Sequence, residues 1–331
     1  MACGLWAHPP WATGATSHKP QATSHTPILR GVKPLAITLG DPAGIGAEVV
    51  FKALHTMSVP VRLFGSRAYA KPPNDIEFVD VGGSGPVTYG KVSAEYGRIA
   101  LDSIEAALRA IEAGECSALV TAPINKQAIA AAGSPFAGHT ELLASRAGLS
   151  RYAHDYAMYF DSPSMRAALL SVHLPLREAV KSIRAEDIAA LARLTAREYA
   201  KMYGRPPRIA AAGVNPHAGE GGRFGDEERE IEKGVAAASA EGIAITGPHP
   251  ADTIFRAKYD VVLAMYHDQA LIPIKTAAFE QAVNVTIGLP YLRVSVDHGT
   301  AFDIAGKNVA DPAPMRYAIE WTARFAGRFP S

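Results

Sequence analysis

Two cysteines in 331 residues, Cys3 and Cys116, are too few for a disulfide framework or a thiolate metal site. That scarcity suits a reducing, cytoplasmic compartment. A surplus of positive charge is missing as well: 33 basic and 32 acidic residues leave a formal charge of +1. Binding along a nucleic-acid backbone needs many clustered cations, so no nucleic acid is expected as a partner, while a local pocket for one phosphate stays open. Long apolar runs are absent. The run within residues 260–266 is far short of the roughly 20 residues that span a bilayer, so no membrane partner is expected. The N-terminus, MACGLWAHPPWATGATSHKPQATSHTP, lacks the basic start and apolar core of a secretory signal. Its Pro, Thr, Ser and His content reads as a disordered tail over residues 1–33, with His8, His18 and His25 in solvent. There is also no G-x-G-x-x-G fingerprint. GDPAGIGAE (40–48) and GGSG (82–85) are glycine-bearing turns of other spacing, which gives little support to a Rossmann dinucleotide site.

What remains is a globular composition, 48% hydrophobic and 20% charged, in a chain long enough for two domains. Short apolar runs alternate with amphipathic stretches. Strands are expected at 34–39, 59–64, 75–81, 118–121, 166–172, 208–214 and 261–266. Helices are expected at 49–54, 93–113, 185–202 and 226–240, with a further one opening near Thr140. Near-continuous apolar strands between helices argue an α/β fold with a mostly parallel sheet.

Three histidines follow three of these strands: His173 in SVHLPL, His217 in NPHAGEGG and His267 in YHDQ. The carboxyl edge of an open α/β sheet is where ligands bind, and three imidazoles with an open fourth position describe a catalytic metal site. A satisfied histidine at each strand end is the plainer alternative, because no two of the three share a helix. In SPFAGHTELL, the Gly138–His139–Thr140 entry to a helix offers amides, a hydroxyl and an imidazole to an anion. An ordinary Thr N-cap is the competing reading. Lys275 in IPIK, Asn284 in VNVTIG and Arg293 in LPYLR lie in or beside apolar segments, where a cation needs an anionic partner or solvent.

Taken in order, GDPAGIGAE, VTAPINK, GHTE, SVHLPLREA, NPHAGEGG, GPHPADTIF, MYHDQALIPIK, VNVTIGLPYLR and SVDHGTAFDIAG resemble the 4-hydroxythreonine-4-phosphate dehydrogenase family of vitamin B6 biosynthesis, over about residues 35–311. The resemblance implies a two-domain α/β fold like that of isocitrate and isopropylmalate dehydrogenases, with the active site in the interdomain cleft. Residues 34–130 and 270–331 would form a discontinuous first domain and 131–269 the second. It implies a homodimer whose active sites draw on both subunits. It also implies a divalent ion held by His173, His217 and His267, with zinc favoured over magnesium or cobalt. Substrate would be held by His139, Thr140, Lys275, Asn284 and Arg293. DHGTAFDIAGK (297–307) is similar to the loop that receives the adenosine of NAD or NADP in related decarboxylating dehydrogenases, which points to His298, Gly299 and Asp303 as cofactor-binding residues.

The implied reaction is oxidation of 4-phosphohydroxy-L-threonine to 2-amino-3-oxo-4-phosphooxybutanoate, which loses carbon dioxide to give 3-amino-2-oxopropyl phosphate. A divalent ion eases proton loss from the alcohol while the nicotinamide takes hydride. No catalytic base is assigned; Asp252, in HPADT, competes with a plain turn role. A paralogous dehydrogenase of D-erythronate or D-threonate 4-phosphate stays open, because both substrate types carry a terminal phosphate. A dehydrogenase of a ring dihydrodiol dicarboxylate, a metal-dependent hydrolase and a non-catalytic binding paralogue are more distant alternatives.

Overall fold

The computed structural model describes residues 33–329. All but the last residue of the expected N-terminal tail, with Cys3, His8, His18 and His25, lies outside them. Eleven strands are formed: β1 (Leu35–Thr38), β2 (Val61–Gly65), β3 (Glu77–Asp80), β4 (Leu119–Thr121), β5 (Ala157–Asp161), β6 (Arg166–Leu169), β7 (Ile209–Ala212), β8 (Ile245–His249), β9 (Val261–Ala264), β10 (Val283–Ile287) and β11 (Arg293–Ser295). The helices are α1 (Gly46–Leu54), α2 (Ala94–Glu112), α3 (Lys126–Ala131), α4 (His139–Arg146), α5 (Leu176–Lys181), α6 (Ala185–Tyr203), α7 (Glu228–Ala240), α8 (His267–Ala278) and α9 (Ala313–Phe325). None is long and apolar enough to cross a membrane.

All eleven strands join one sheet in the order β3-β2-β1-β4-β11-β10-β5-β6-β9-β7-β8. The expected α/β class holds, but the sheet is mixed. β3, β2, β1, β4 and β11 form one parallel block, and β6, β9, β7 and β8 form another. Between them the direction reverses three times, at β11–β10, β10–β5 and β5–β6. The two blocks therefore run in opposite directions, and the middle of the sheet is antiparallel.

The helices form for ordinary local reasons. Ser93 caps α2 by accepting from Glu95 N, and Tyr96, Ile99, Ala100, Ile104, Ala107, Leu108 and Ile111 make the buried stripe expected of a 3.6-residue period. Gly97 lets α2 touch α3, since a Cβ there would lie 2.0 Å from Ala128 O. One hydrophobic cluster runs across the sheet, including Ile37, Val120, Val285, Tyr159, Leu263, Ala211 and Ile245. Most expected elements are present with shorter ends; the strands read at 166–172, 208–214 and 261–266 stop at 169, 212 and 264. The residues trimmed from these three lead toward the histidines.

Candidate active site

The middle of the sheet supplies the floor of a cavity of about 390 Å³, lined by Thr121, Met158, Asn284, Arg293 and Ser295. Asn284 and Ser295 are cross-strand partners on β10 and β11, and the two-residue period places Thr286 and Arg293 on the same face. Arg293 is only 2% exposed. Its Nη1 donates to Thr286 Oγ1 (3.0 Å) and its Nη2 to Thr121 Oγ1 (2.8 Å). Among the described residues its Nε has no partner, and no carboxylate lies within salt-bridge distance of it. Burial drives its pKa down to about 10, so it is still a cation at neutral pH.

Two residues that line the same cavity carry buried atoms without partners, His139 Nε2 and Asn284 Oδ1. Burial first, then the neighbouring Arg293 charge, holds the His139 pKa well below the usual histidine range, so the ring is neutral. His139 opens α4, whose N-cap Gly138 is extended (φ −179°) and provides no side-chain cap. The first amides of α4 are thus free for an anion. Each buried polar atom without a partner costs about 1–3 kcal/mol, and a buried cation without an anion costs more. An anion with several oxygens, seated between Arg293 and α4, would pair the Arg293 charge and the free α4 amides, whereas Asn284 Oδ1, an acceptor, calls for a donor on the same ligand.

Lys275, on α8, closes another side of the cavity. Its Nζ lies 3.2 Å from Asp297 Oδ2 and donates to Asp297 O at 3.3 Å. Burial raises the Asp297 pKa while Lys275 opposes that rise. His298 and Gly299 also line the cavity, and Asp303 is exposed outside it. The 297–307 segment is held against the GDPAGIGAE turn: Ile45 N donates to Thr300 O at 3.0 Å, and a Cβ on Gly44 would lie 2.9 Å from Thr300.

The histidines behave differently. β6, β9 and β7 are neighbours, so His173, His267 and His217 do leave three adjacent strands. His173 sits in a left-handed conformation (φ 45°), and its ring centroid lies 5.8 Å from that of His267, the first residue of α8. His267 Nδ1 is 2.6 Å from Asp268 Oδ1, which leaves Nε2 for a ligand. Burial, then Lys126, lowers the His173 pKa and keeps the ring neutral, as a metal ligand must be. His217 does not join them. Its ring lies beside Phe224, and residues 217–221 all have positive φ (55°, 52°, 80°, 44° and 67°). For His217, Ala218 and Glu220 this conformation costs roughly 1–2 kcal/mol each. Among the described residues no group of three or more His, Cys, Asp or Glu side chains is placed to hold a metal. One chain therefore offers a pair of imidazoles, whose chemistry fits a divalent ion but whose number falls short by one.

The structure brings His139, Thr140, Lys275, Asn284, Arg293 and His173 into one cavity, with His267 adjoining through His173. Lys126, Glu141 and Asp297 line it too, and the sequence reading did not single them out. Each lies in a quoted motif: Lys126 closes VTAPINK, Glu141 closes GHTE and Asp297 precedes His298. A charged residue in a loop reads as solvated unless its neighbours are known.

Fold and site together define an α/β protein with a buried cationic pocket beside a pair of histidine rings. The chain belongs to the PdxA family: the family model described as "Pyridoxal phosphate biosynthetic protein PdxA" matches residues 36–322. A 4-hydroxythreonine-4-phosphate dehydrogenase of Beijerinckia indica is 40% identical over 323 residues, covering 88% of this chain and 94% of the relative. A solved 4-hydroxythreonine-4-phosphate dehydrogenase from Klebsiella pneumoniae superposes with a TM-score of 0.80 at 36% identity, covering 89% of this chain and 99% of that one. A terephthalate 1,2-cis-dihydrodiol dehydrogenase from Burkholderia xenovorans is more distant, with a TM-score of 0.63 at 33% identity over 89% and 98% of the two chains.

Proposed function

We propose that this protein is a 4-hydroxythreonine-4-phosphate dehydrogenase, an oxidoreductase of pyridoxal phosphate biosynthesis in the cytoplasm. The observation that carries the reading is Arg293, a buried cation with no carboxylate at salt-bridge distance among the described residues, in the cavity that also holds His139, Thr140 and His173. Arg293, the α4 amides and Thr140 bind the phosphate, and Lys275 and Asn284 fix the rest of the substrate beside the histidine pair. Orientation of this kind contributes several kcal/mol to a barrier. His173 and His267 would hold a divalent ion, which would supply polarisation of the substrate hydroxyl, and His298 and Gly299 would border NAD or NADP, which would supply the hydride acceptor. Zinc suits imidazole donors best, with cobalt or magnesium as alternatives.

The missing third donor is His217 of a second copy, which makes the active unit a homodimer with shared sites. Each histidine-bearing segment also exposes large apolar side chains: Leu174 (51%) and Leu176 (58%), Phe224 (50%), and Ile272 (65%) and Phe279 (55%). Apolar side chains gathered around a half-built site suit coverage by a partner. The cleft would then lie between a discontinuous domain (34–130 and 270–331) and a domain of residues 131–269.

Glu141 favours an amino acid phosphate over a sugar-acid phosphate. It lines the cavity with no ion pair or hydrogen bond among the described residues. A carboxylate facing an anion pocket is repulsive unless the ligand carries a cation, and the substrate ammonium provides one. The test is nicotinamide reduction, followed by near-ultraviolet absorbance, with zinc and either 4-phosphohydroxy-L-threonine, D-erythronate 4-phosphate or D-threonate 4-phosphate. Preference for the amino acid phosphate supports the reading. Faster turnover of a sugar-acid phosphate replaces the substrate, and no reduction by folded, metal-loaded protein refutes the activity.

A further inference from the structure

The three histidine-bearing strand exits are joined by a hydrogen-bond chain. Ser171 Oγ, two residues before His173, donates to Met265 O at 2.8 Å, two residues before His267. Met265 N donates to Gln269 Oε1 at 2.7 Å, and Gln269 Nε2 donates to Gly213 O at 2.7 Å, beyond the end of β7. From there Glu228 of α7 takes over. Its Oε1 accepts from Val214 N (2.9 Å) and Asn215 N (2.7 Å), and its Oε2 accepts from Asn215 Nδ2 (2.9 Å). A Cβ on Gly219 would lie 2.8 Å from Glu228 Oε2, so the same carboxylate sits directly beneath the left-handed turn.

Gln269 is 7% exposed and Glu228 5%. Burial pushes the Glu228 pKa up, but the bonds from Asn215, Val214 and its own amide outweigh that and leave it below the usual range, so it is an anion at neutral pH. Both side chains spend their hydrogen bonds on residues 213–215 and 265. These are the residues that lead into His217 and His267. A run of left-handed L-residues persists only where its surroundings over-determine it, and the anchor here is Glu228.

We propose that Glu228 and Gln269 are positioning residues for the histidine end of the site. Glu228 holds His217 in its left-handed presentation, and Gln269 fixes that loop relative to the strand exit that carries His267. The proposal rests on the reading that these histidines ligate a divalent ion. With His217 lent to a second copy, Gln269 becomes a strut between a donor of one site and a donor of the other.

The experiment compares metal-free wild type, Glu228→Gln, Gln269→Met and, as a reference, Glu198→Gln. Glu198 is 1% exposed and, among the described residues, bonds Arg197 and Lys201 on its own helix α6, so its loss is that of a buried carboxylate outside the hydrogen-bond chain to the histidine segments. Zinc affinity is measured by competition with a chromophoric chelator, the cobalt(II) visible spectrum reports ligand geometry, and inorganic phosphate binding and Tm report the rest of the molecule. Glu228→Gln and Gln269→Met should weaken zinc roughly 10- to 100-fold and alter the cobalt spectrum, with phosphate affinity retained. Glu198→Gln should change Tm alone. Unchanged zinc affinity and cobalt spectrum in both variants, or an equal zinc loss in Glu198→Gln, overturns the proposal. If Gln269→Met does not fold, Gln269→Glu keeps the acceptor for Met265 N and is judged by the same criteria. Wild type that takes up neither zinc nor cobalt refutes the metal reading itself, which is a distinct result.

Discussion

The two ends of the cavity are built in opposite ways. The anion end is finished within one chain: Arg293, Asn284 and Thr286 project from adjacent central strands, and His139 and Thr140 open a helix above them. Arg293, Asn284, Thr286 and Thr140 are buried there, and the guanidinium keeps an unpartnered donor in Nε. The histidine end is unfinished. Two rings stand 5.8 Å apart, the third lies beside Phe224 and is not grouped with them, and apolar side chains nearby in sequence are exposed. A rigid sheet face can preorganise an anion site alone, whereas donors on loops past the strand ends need another surface to complete them.

Four outcomes test that contrast. The largest concerns the histidines. His173→Ala and His217→Ala should each abolish turnover, and mixing the two inactive proteins under subunit exchange should restore about one quarter of wild-type activity, because only one of two sites in a heterodimer is then intact. No recovery on mixing would place all three donors in one chain. Next, Arg293→Ala should lower kcat/KM roughly 100- to 1,000-fold and remove inorganic phosphate binding, while zinc binding is unaffected. A matching loss of zinc would mean that the ends are not separable. Third, Glu141→Gln should lower kcat/KM for the amino acid phosphate roughly 10-fold and spare the sugar-acid phosphates. Equal losses would assign Glu141 to the helix terminus alone. Smallest is a pH effect. Arg293 has its pKa lowered to about 10, so phosphate affinity should hold through neutral pH and fall as the free protein loses this proton. At about pH 10.5 the loss should be about fourfold, as read by calorimetry. Between about 10 and the ordinary arginine value the unfolded chain binds more protons, so stability should rise with pH even as phosphate is lost.

The edge strand β8, ITGPH, was missed for want of an apolar run, but the other outer strands were legible because each is a short apolar run, as LAIT, IAAA and VVLA are. The central ones were not. β11 has three residues beginning with a buried arginine, and β10 carries a buried asparagine, so neither resembles a core strand locally. Their conformation is decided by partners far along the chain, as in the pairing of Arg293 with Leu119. The same distance hid Lys126, Glu141 and Asp297, whose importance lies in what they face. For the histidines, the sequence placed each one just beyond a strand, and the adjacency of β6, β9 and β7 agrees. It did not reveal the five left-handed residues at 217–221, because handedness in a loop depends on contacts made elsewhere in the chain.

The strand order has a consequence for how the chain matures. β10 and β11 are the last strands in sequence, yet they lie between β4 and β5. Until residues 283–295 insert, the two parallel blocks have no shared hydrogen-bond ladder and the floor of the anion pocket does not exist. Contacts of such long range are slow to form, because much of the chain must be closed into a loop first. Catalytic competence is thus acquired in the closing act of folding, and recovery of phosphate binding during refolding is a direct clock for completion of the sheet.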